Sequence, residues 1–142
     1  MIEGISHVTF IVKNLEKTKH MLEYIFQAKE IYSSDGKNFS ISNEKFFIVS
    51  NIWIAIMENK NESLNRTYNH IAFKIRDDDF ENYIKKIKHL GLEIKSSRTR
   101  ISGEGVSIYF YDYDNHLFEL HTGTLGERLE TYKNSMQSKL IS

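Results

Sequence analysis

Two histidines and one glutamate in this chain have the types and spacing to share a divalent metal ion: His7 in HVTFIV, His70 in HIAFKI and Glu119 in HLFELH. Each sits in a short run of alternating, β-branched and aromatic residues, a strand pattern in which every second side chain shares a face. Parity puts His7 beside Thr9 and Ile11, and Glu119 beside Leu117 and His121. Two imidazoles and one carboxylate form an open ligand set for Mn2+, Fe2+, Zn2+ or a similar ion, with positions left at which the metal acts on a substrate as a Lewis acid. His20 and His89 fall on helical stretches and read as solvated, His116 lies in a turn, and His121 is ambiguous.

The elements that position these residues are written twice. HVTFIVKNLEKTKHMLEYIFQAKEI, from His7 to Ile31, aligns without a gap on HIAFKIRDDDFENYIKKIKHLGLEI, from His70 to Ile94, at an offset of 63 residues. Each copy opens with a strand and passes a helix-start signal, Asn14 in one and Asp77 to Asp79 in the other. A helix with one apolar face follows, Met21, Leu22, Ile25 and Phe26 or Phe80, Tyr83, Ile84 and Ile87. Each copy then returns as a strand, KEIYS or LEIKS, the second entered through Gly91, which suits a left-handed helix cap. Further strands are expected at NFSIS, KFFIVS and IWIAIME in the first copy, and at VSIYFYDY and HLFELH in the second.

The expected fold is therefore α+β, one β-α-β unit with further strands written twice and related by an internal pseudo-two-fold within a single domain spanning 1–142. A C-terminal helix, about 125–139, carries Leu125, Leu129, Tyr132 and Met136 on one side and reads as an end cap or partner contact. The repeat relates His7 to His70, so the two imidazoles approach one point from opposite halves. Carried forward, the same offset sets Ile56 against Glu119, leaving the fourth quasi-symmetric position apolar and the site open.

Bulk properties narrow the field. The 142 residues, 40% of them hydrophobic, suffice for one compact domain. With 19 basic and 19 acidic residues the formal charge is zero, so nothing global draws the chain to nucleic acid or an anionic membrane surface, and any anion must be met locally. The lack of cysteine excludes disulfides, thiolate metal sites and a thiol nucleophile, and agrees with a reducing compartment. MIEGISHVTFIVKN has no basic run and too short an apolar stretch to span a bilayer, so a soluble cytoplasmic protein is expected.

The segments SHVTFIV, YNHIAF and YFYDYDNHLFELHTGTL resemble the vicinal oxygen chelate (glyoxalase/bleomycin resistance) superfamily, and within it the fosfomycin resistance proteins of the FosX type, over the chain to about Tyr132. The resemblance implies paired βαβββ modules, about 1–60 and 67–122, a metal, Mn2+, held by His7, His70 and Glu119, and a homodimer whose active sites each take a module from either subunit. It implies hydrolysis of the fosfomycin epoxide to 1,2-dihydroxypropylphosphonate, with water and the antibiotic as substrates. NEKFFIV places Glu44 where the FosX-type hydrolases carry their general base. By the same resemblance Thr9, Arg98 or Arg100, Ser107, Tyr109 and Arg128 meet the phosphonate, and Trp53 and Tyr68 line the pocket. Parity adds that Ser107 and Tyr109 share a strand face, and that the SGEG turn at 102–105 could close backbone N–H groups over an anion. The competing readings are a metal-dependent thiol transferase acting on the same epoxide, and a non-catalytic antibiotic-binding protein.

Overall fold

The computed structural model describes residues 1–37 and 39–141. It divides into two compact units, Met1–Asn65 with Asp112–Asn115, and Arg66–Tyr111 with His116–Ser142.

In the first unit the order is β1 (His7–Val12), α1 (Leu15–Phe26), β2 (Lys29–Ser33), β3 (Glu44–Val49) and β4 (Ile52–Glu58). Asn14 caps α1 as its sequence suggests, its side-chain oxygen accepting from the Lys17 amide at 2.9 Å. The strands form one sheet in the order β1-β4-β3-β2, with β1 parallel to β4 and the other pairs antiparallel. Val12, Phe47, Ile54 and Ile56 share the buried face of this sheet, and Met21, Leu22, Ile25 and Phe26 are the buried apolar residues of α1, which packs against β3 and β4. Removing each such side chain from water contributes roughly 1.5–3 kcal/mol, so this apolar layer fixes the sheet and leaves its opposite face available for other chemistry.

The second unit repeats the plan: β5 (His70–Lys74), a 3-10 turn (Asp77–Asp79), α2 (Phe80–His89), β6 (Ile94–Lys95), β7 (Ser107–Tyr111), β8 (Leu117–His121) and then α3 (Leu125–Ile141). Its sheet runs β5-β8-β7-β6. Ile108, Phe110, Phe118 and Leu120 form its buried apolar face, with the Phe110 and Phe118 rings stacked at 5.7 Å, and Ile87 is the buried residue of α2. Gly91 follows α2 with φ +69°, the left-handed cap expected of it. Thr124 and Glu127 close a capping box at the start of α3, where the Glu127 amide donates to Thr124 Oγ1 at 3.2 Å. The Leu125, Leu129, Tyr132 and Met136 stripe of α3 stays exposed. None of the helices is long and apolar enough to cross a membrane among the described residues.

The α+β class, the doubled βαβββ order and the terminal helix are as expected. Two details differ. The strand expected at NFSIS begins on Asn38, outside the described residues, and the chain from Phe39 onward is bent rather than extended, with Phe39 86% and Ile41 87% exposed; among the described residues its alternation has no neighbouring strand to pair with. The repeat offset also slips. His7 pairs with Trp53 and Thr9 with Ala55, whereas His70 pairs with Leu117 and Ala72 with Glu119. The turn between β7 and β8 is longer than its counterpart, with Asn115 at φ 69°, so the residue equivalent to Glu119 is Ala55, and Ile56 belongs to the helix-covered face. The position is apolar either way.

Candidate metal centre

The face of the first sheet turned away from α1 presents His7 and Thr9 from β1, Trp53, Ala55 and Met57 from β4, and Glu44, Phe46 and Ile48 from β3. Trp53 lies against the His7 ring, centroids 4.3 Å apart, and Phe46 meets Trp53 edge-on at 5.1 Å. Packing the imidazole on a tryptophan limits its rotation. Trp53 Nε1 is buried and has no hydrogen-bond partner among the described residues. Glu44, 8% exposed, is held through its backbone, its amide donating to Ser34 Oγ at 3.1 Å and its carbonyl accepting from the Ser34 amide at 3.0 Å. No partner for its carboxylate is found among the described residues.

In the second sheet the equivalent face gathers His70, Glu119, His121, Ser107 and Tyr109. His70 Nε2 and Glu119 Oε2 stand 2.9 Å apart. The remaining atoms of both groups are occupied. The Tyr68 carbonyl lies 2.7 Å from His70 Nδ1 and accepts its hydrogen, so that Nε2 is the ring atom that faces the carboxylate. Glu119 Oε1 accepts from Ser107 Oγ at 2.5 Å and from Arg100 Nη2 at 3.0 Å. This donor set fits a divalent ion. Nitrogen and carboxylate ligands each about 2.0–2.2 Å from a metal at near-right angles lie about 3 Å from one another, and the carbonyl behind the imidazole is the usual outer partner that orients a ligating histidine. Among the described residues no three His, Asp or Glu side chains form one such cluster.

The electrostatics of the face follow from these contacts. Burial pushes the Glu119 carboxyl upward, but the hydrogen bonds from Ser107 and Tyr109 and the charges of His70 and Arg100 outweigh it, and its pKa is lowered. Burial, then the Tyr68 hydrogen bond and the Glu119 charge, push the Tyr109 hydroxyl up. Burial and the Arg100 charge, with Arg128 behind, lower His121 against the opposing pull of Glu119.

Of the two arginines open at the sequence level, Arg100 and not Arg98 lies on this face. The Arg100 side chain is 9% exposed, reaching Tyr109 Oη at 3.2 Å, and its Nε and Nη1 are buried without hydrogen-bond partners among the described residues. Buried, unsatisfied guanidinium N–H groups are costly, and an oxyanion would satisfy them. Arg98 turns to Glu104 at 2.6 Å. The SGEG turn is thus filled by its own Glu104 carboxylate, 1% exposed, which accepts from Arg98, Tyr132 Oη at 2.6 Å and the Ile101 amide at 2.8 Å. Tyr68, 55% exposed, donates to Tyr109 Oη at 3.2 Å, and Arg128 Nη2 reaches His121 Nε2 at 3.3 Å. Reading Arg100 from sequence would have needed the backbone path of the irregular stretch before β7, which periodicity does not supply.

Comparison with known proteins decides the family. The Glyoxalase/Bleomycin resistance protein/Dioxygenase superfamily pattern matches residues 4–120. Over 133 residues the chain is 61% identical to the fosfomycin resistance protein FosX of Listeria innocua, covering 93% of this chain and 98% of the relative. The chain belongs to the FosX family of this superfamily. A crystal structure of a mutant FosX from Listeria monocytogenes, complexed with Mn(II) and 1S,2S-dihydroxypropylphosphonic acid, superposes with a TM-score of 0.86 at 57% identity, covering 92% of this chain and 99% of that one. The metallothiol transferase FosB of Staphylococcus saprophyticus is more distant from this FosX-family chain, at 37% identity over 94% of it and 85% of the relative.

Proposed function

We propose that the protein is a cytoplasmic Mn(II)-dependent fosfomycin epoxide hydrolase that forms 1,2-dihydroxypropylphosphonate. The observation that carries this reading is the His70–Glu119 pair, two donor atoms 2.9 Å apart whose companion atoms are already engaged. The Mn(II) and the diol named with the Listeria monocytogenes protein support the choice of ion and product. His7 is the third ligand, contributed in a homodimer by the second copy.

When bound, the ion supplies Lewis acidity to the oxirane oxygen as its C–O bond breaks. Arg100, whose Nε and Nη1 have no hydrogen-bond partner among the described residues, and Arg128 meet the phosphonate dianion, for which a guanidinium fork is well matched. Thr9, Tyr68, Tyr109 and Trp53 complete the pocket. The Glu44 carboxylate takes a proton from the water that attacks C1, with inversion, and releases it to solvent, from which the opened oxygen is protonated. Epoxide plus water thus yields the diol without a covalent enzyme intermediate. A positioned base contributes about 10² to 10⁴ in rate, which water as a weak nucleophile needs. The closer likeness to FosX than to the thiol transferases, with Glu44 buried on the His7 face, favours water over a thiol.

The test is incubation with fosfomycin, with and without Mn2+ and with and without glutathione or another small thiol, followed by 31P NMR. The reading expects a Mn2+-dependent diol at a rate indifferent to thiol. A faster-forming S-adduct makes the protein a thiol transferase, and stoichiometric retention without product makes it a binding protein.

A further inference from the structure

We infer that His121 is a positioning residue: its neutral Nδ1–H tautomer, wedged between Arg128 and Ser107, aims the Ser107 hydroxyl at Glu119 and so presents the other carboxylate oxygen to the metal. This deepens the proposed metal site and rests on that reading. His121 sits opposite Ser107 in the β7–β8 register and is 9% exposed. Its Nδ1 lies 2.7 Å from Ser107 Oγ and its Nε2 3.3 Å from Arg128 Nη2.

Donors and acceptors set the directions along this chain, and the Val106 backbone is a further hydrogen-bond partner of the ring. Arg128 has donors only, so His121 Nε2 meets it with a lone pair. Ser107 has a single proton and gives it to Glu119 Oε1 at 2.5 Å, so its oxygen accepts, and His121 Nδ1 carries the donated proton. The chain Arg128, His121, Ser107, Glu119 therefore runs one way, each member donating to the next. Its end point is Glu119 Oε1, which leaves Oε2 beside His70 Nε2. Losing an outer group that holds a ligand's orientation typically costs about 10- to 100-fold in metal affinity.

Room for the imidazole is provided by Gly123, where an added Cβ would stand 2.7 Å from His121 Nε2 and closer still to the Glu104 carbonyl oxygen. A side chain at 123 would displace the ring from the chain of donors. His121, unresolved at the sequence level, thus has a defined place in the site without being a ligand.

Two substitutions separate the two ring nitrogens. His121→Asn keeps an amide donor near the Nδ1 position, and His121→Gln keeps an acceptor near Nε2 but no donor to Ser107. Mn2+ affinity, read by electron paramagnetic resonance of the free ion, is expected to fall about 10- to 100-fold in H121Q and to stay at the unsubstituted value in H121N. In the unsubstituted, metal-free protein, 15N–1H correlation of the imidazoles is expected to show His121 as the Nδ1–H tautomer. Equal loss in both variants, no loss in H121Q, or an Nε2–H tautomer overturns the inference. No Mn2+ binding by the unsubstituted protein overturns the metal reading, and this inference with it.

Discussion

Glu44 and Ser107 occupy the same place in the two sheets, Glu44 across from Met57 and Ser107 across from His121. In one module that position carries a hydroxyl bound to the proposed metal carboxylate. In the other it carries a buried carboxylate with no partner among the described residues. Duplication has supplied one backbone frame, and the two copies fill it with different chemistry.

Glu44→Gly should retain Mn2+ and fosfomycin binding while lowering diol formation by about 10² to 10⁴, the share of a general base. The check is a Mn2+ titration alongside product detection by 31P NMR. Normal turnover would remove Glu44 from the mechanism.

Arg100 and Arg98 should separate cleanly. Arg100→Ala is expected to raise KM for fosfomycin roughly 10- to 150-fold, since hydrogen bonds to charged groups are worth about 1.5–3 kcal/mol. Arg98→Ala is expected to lower the melting temperature, through loss of the Glu104 pair, with KM little changed. Steady-state kinetics and thermal melts decide; the reverse assignment of effects would mean that Arg98 meets the phosphonate.

Much of the fold, and the strand faces that carry the candidate site, were legible in the sequence because they depend on period. Alternation within HVTFIV, HIAFK and HLFELH sets which side chains share a face, and the gapless repeat relates His7 to His70. Features that period does not encode were lost. The slip from Ile56 to Ala55 comes from a longer turn. Phe39 and Ile41 alternate like a strand but have no neighbouring strand among the described residues. Arg100 and Glu104 lie in irregular backbone, where side-chain direction depends on tertiary contacts such as Tyr132 rather than on local pattern.

Sharing of the site between copies predicts complementation. His7→Ala and Glu119→Ala should each be inactive, yet a mixture allowed to exchange subunits should recover about a quarter of full activity, since half of the randomly formed dimers carry one intact site. Activity assays before and after exchange would show it. No recovery, with exchange verified by mass, would assign all three ligands to one chain.

Acid should loosen the turn before β7. Arg98 first, then Tyr132, hold the Glu104 carboxyl down from its usual 4.5 to about 2. A carboxyl with a lowered folded-state pKa contributes stability above its unfolded value and loses that contribution as pH falls through the folded value. The melting-temperature difference between the unsubstituted protein and Glu104→Gln should therefore shrink as pH drops from about 4.5 towards about 2. A difference independent of pH would show that the carboxylate charge is not what holds the turn.

The claim that water opens the epoxide is tested most directly by turnover of fosfomycin in 18O-labelled water with Mn2+ and an added thiol, followed by mass spectrometry of the product. One 18O atom in 1,2-dihydroxypropylphosphonate, located at C1, is the expected result. Unlabelled product, or a thiol adduct in its place, would contradict it.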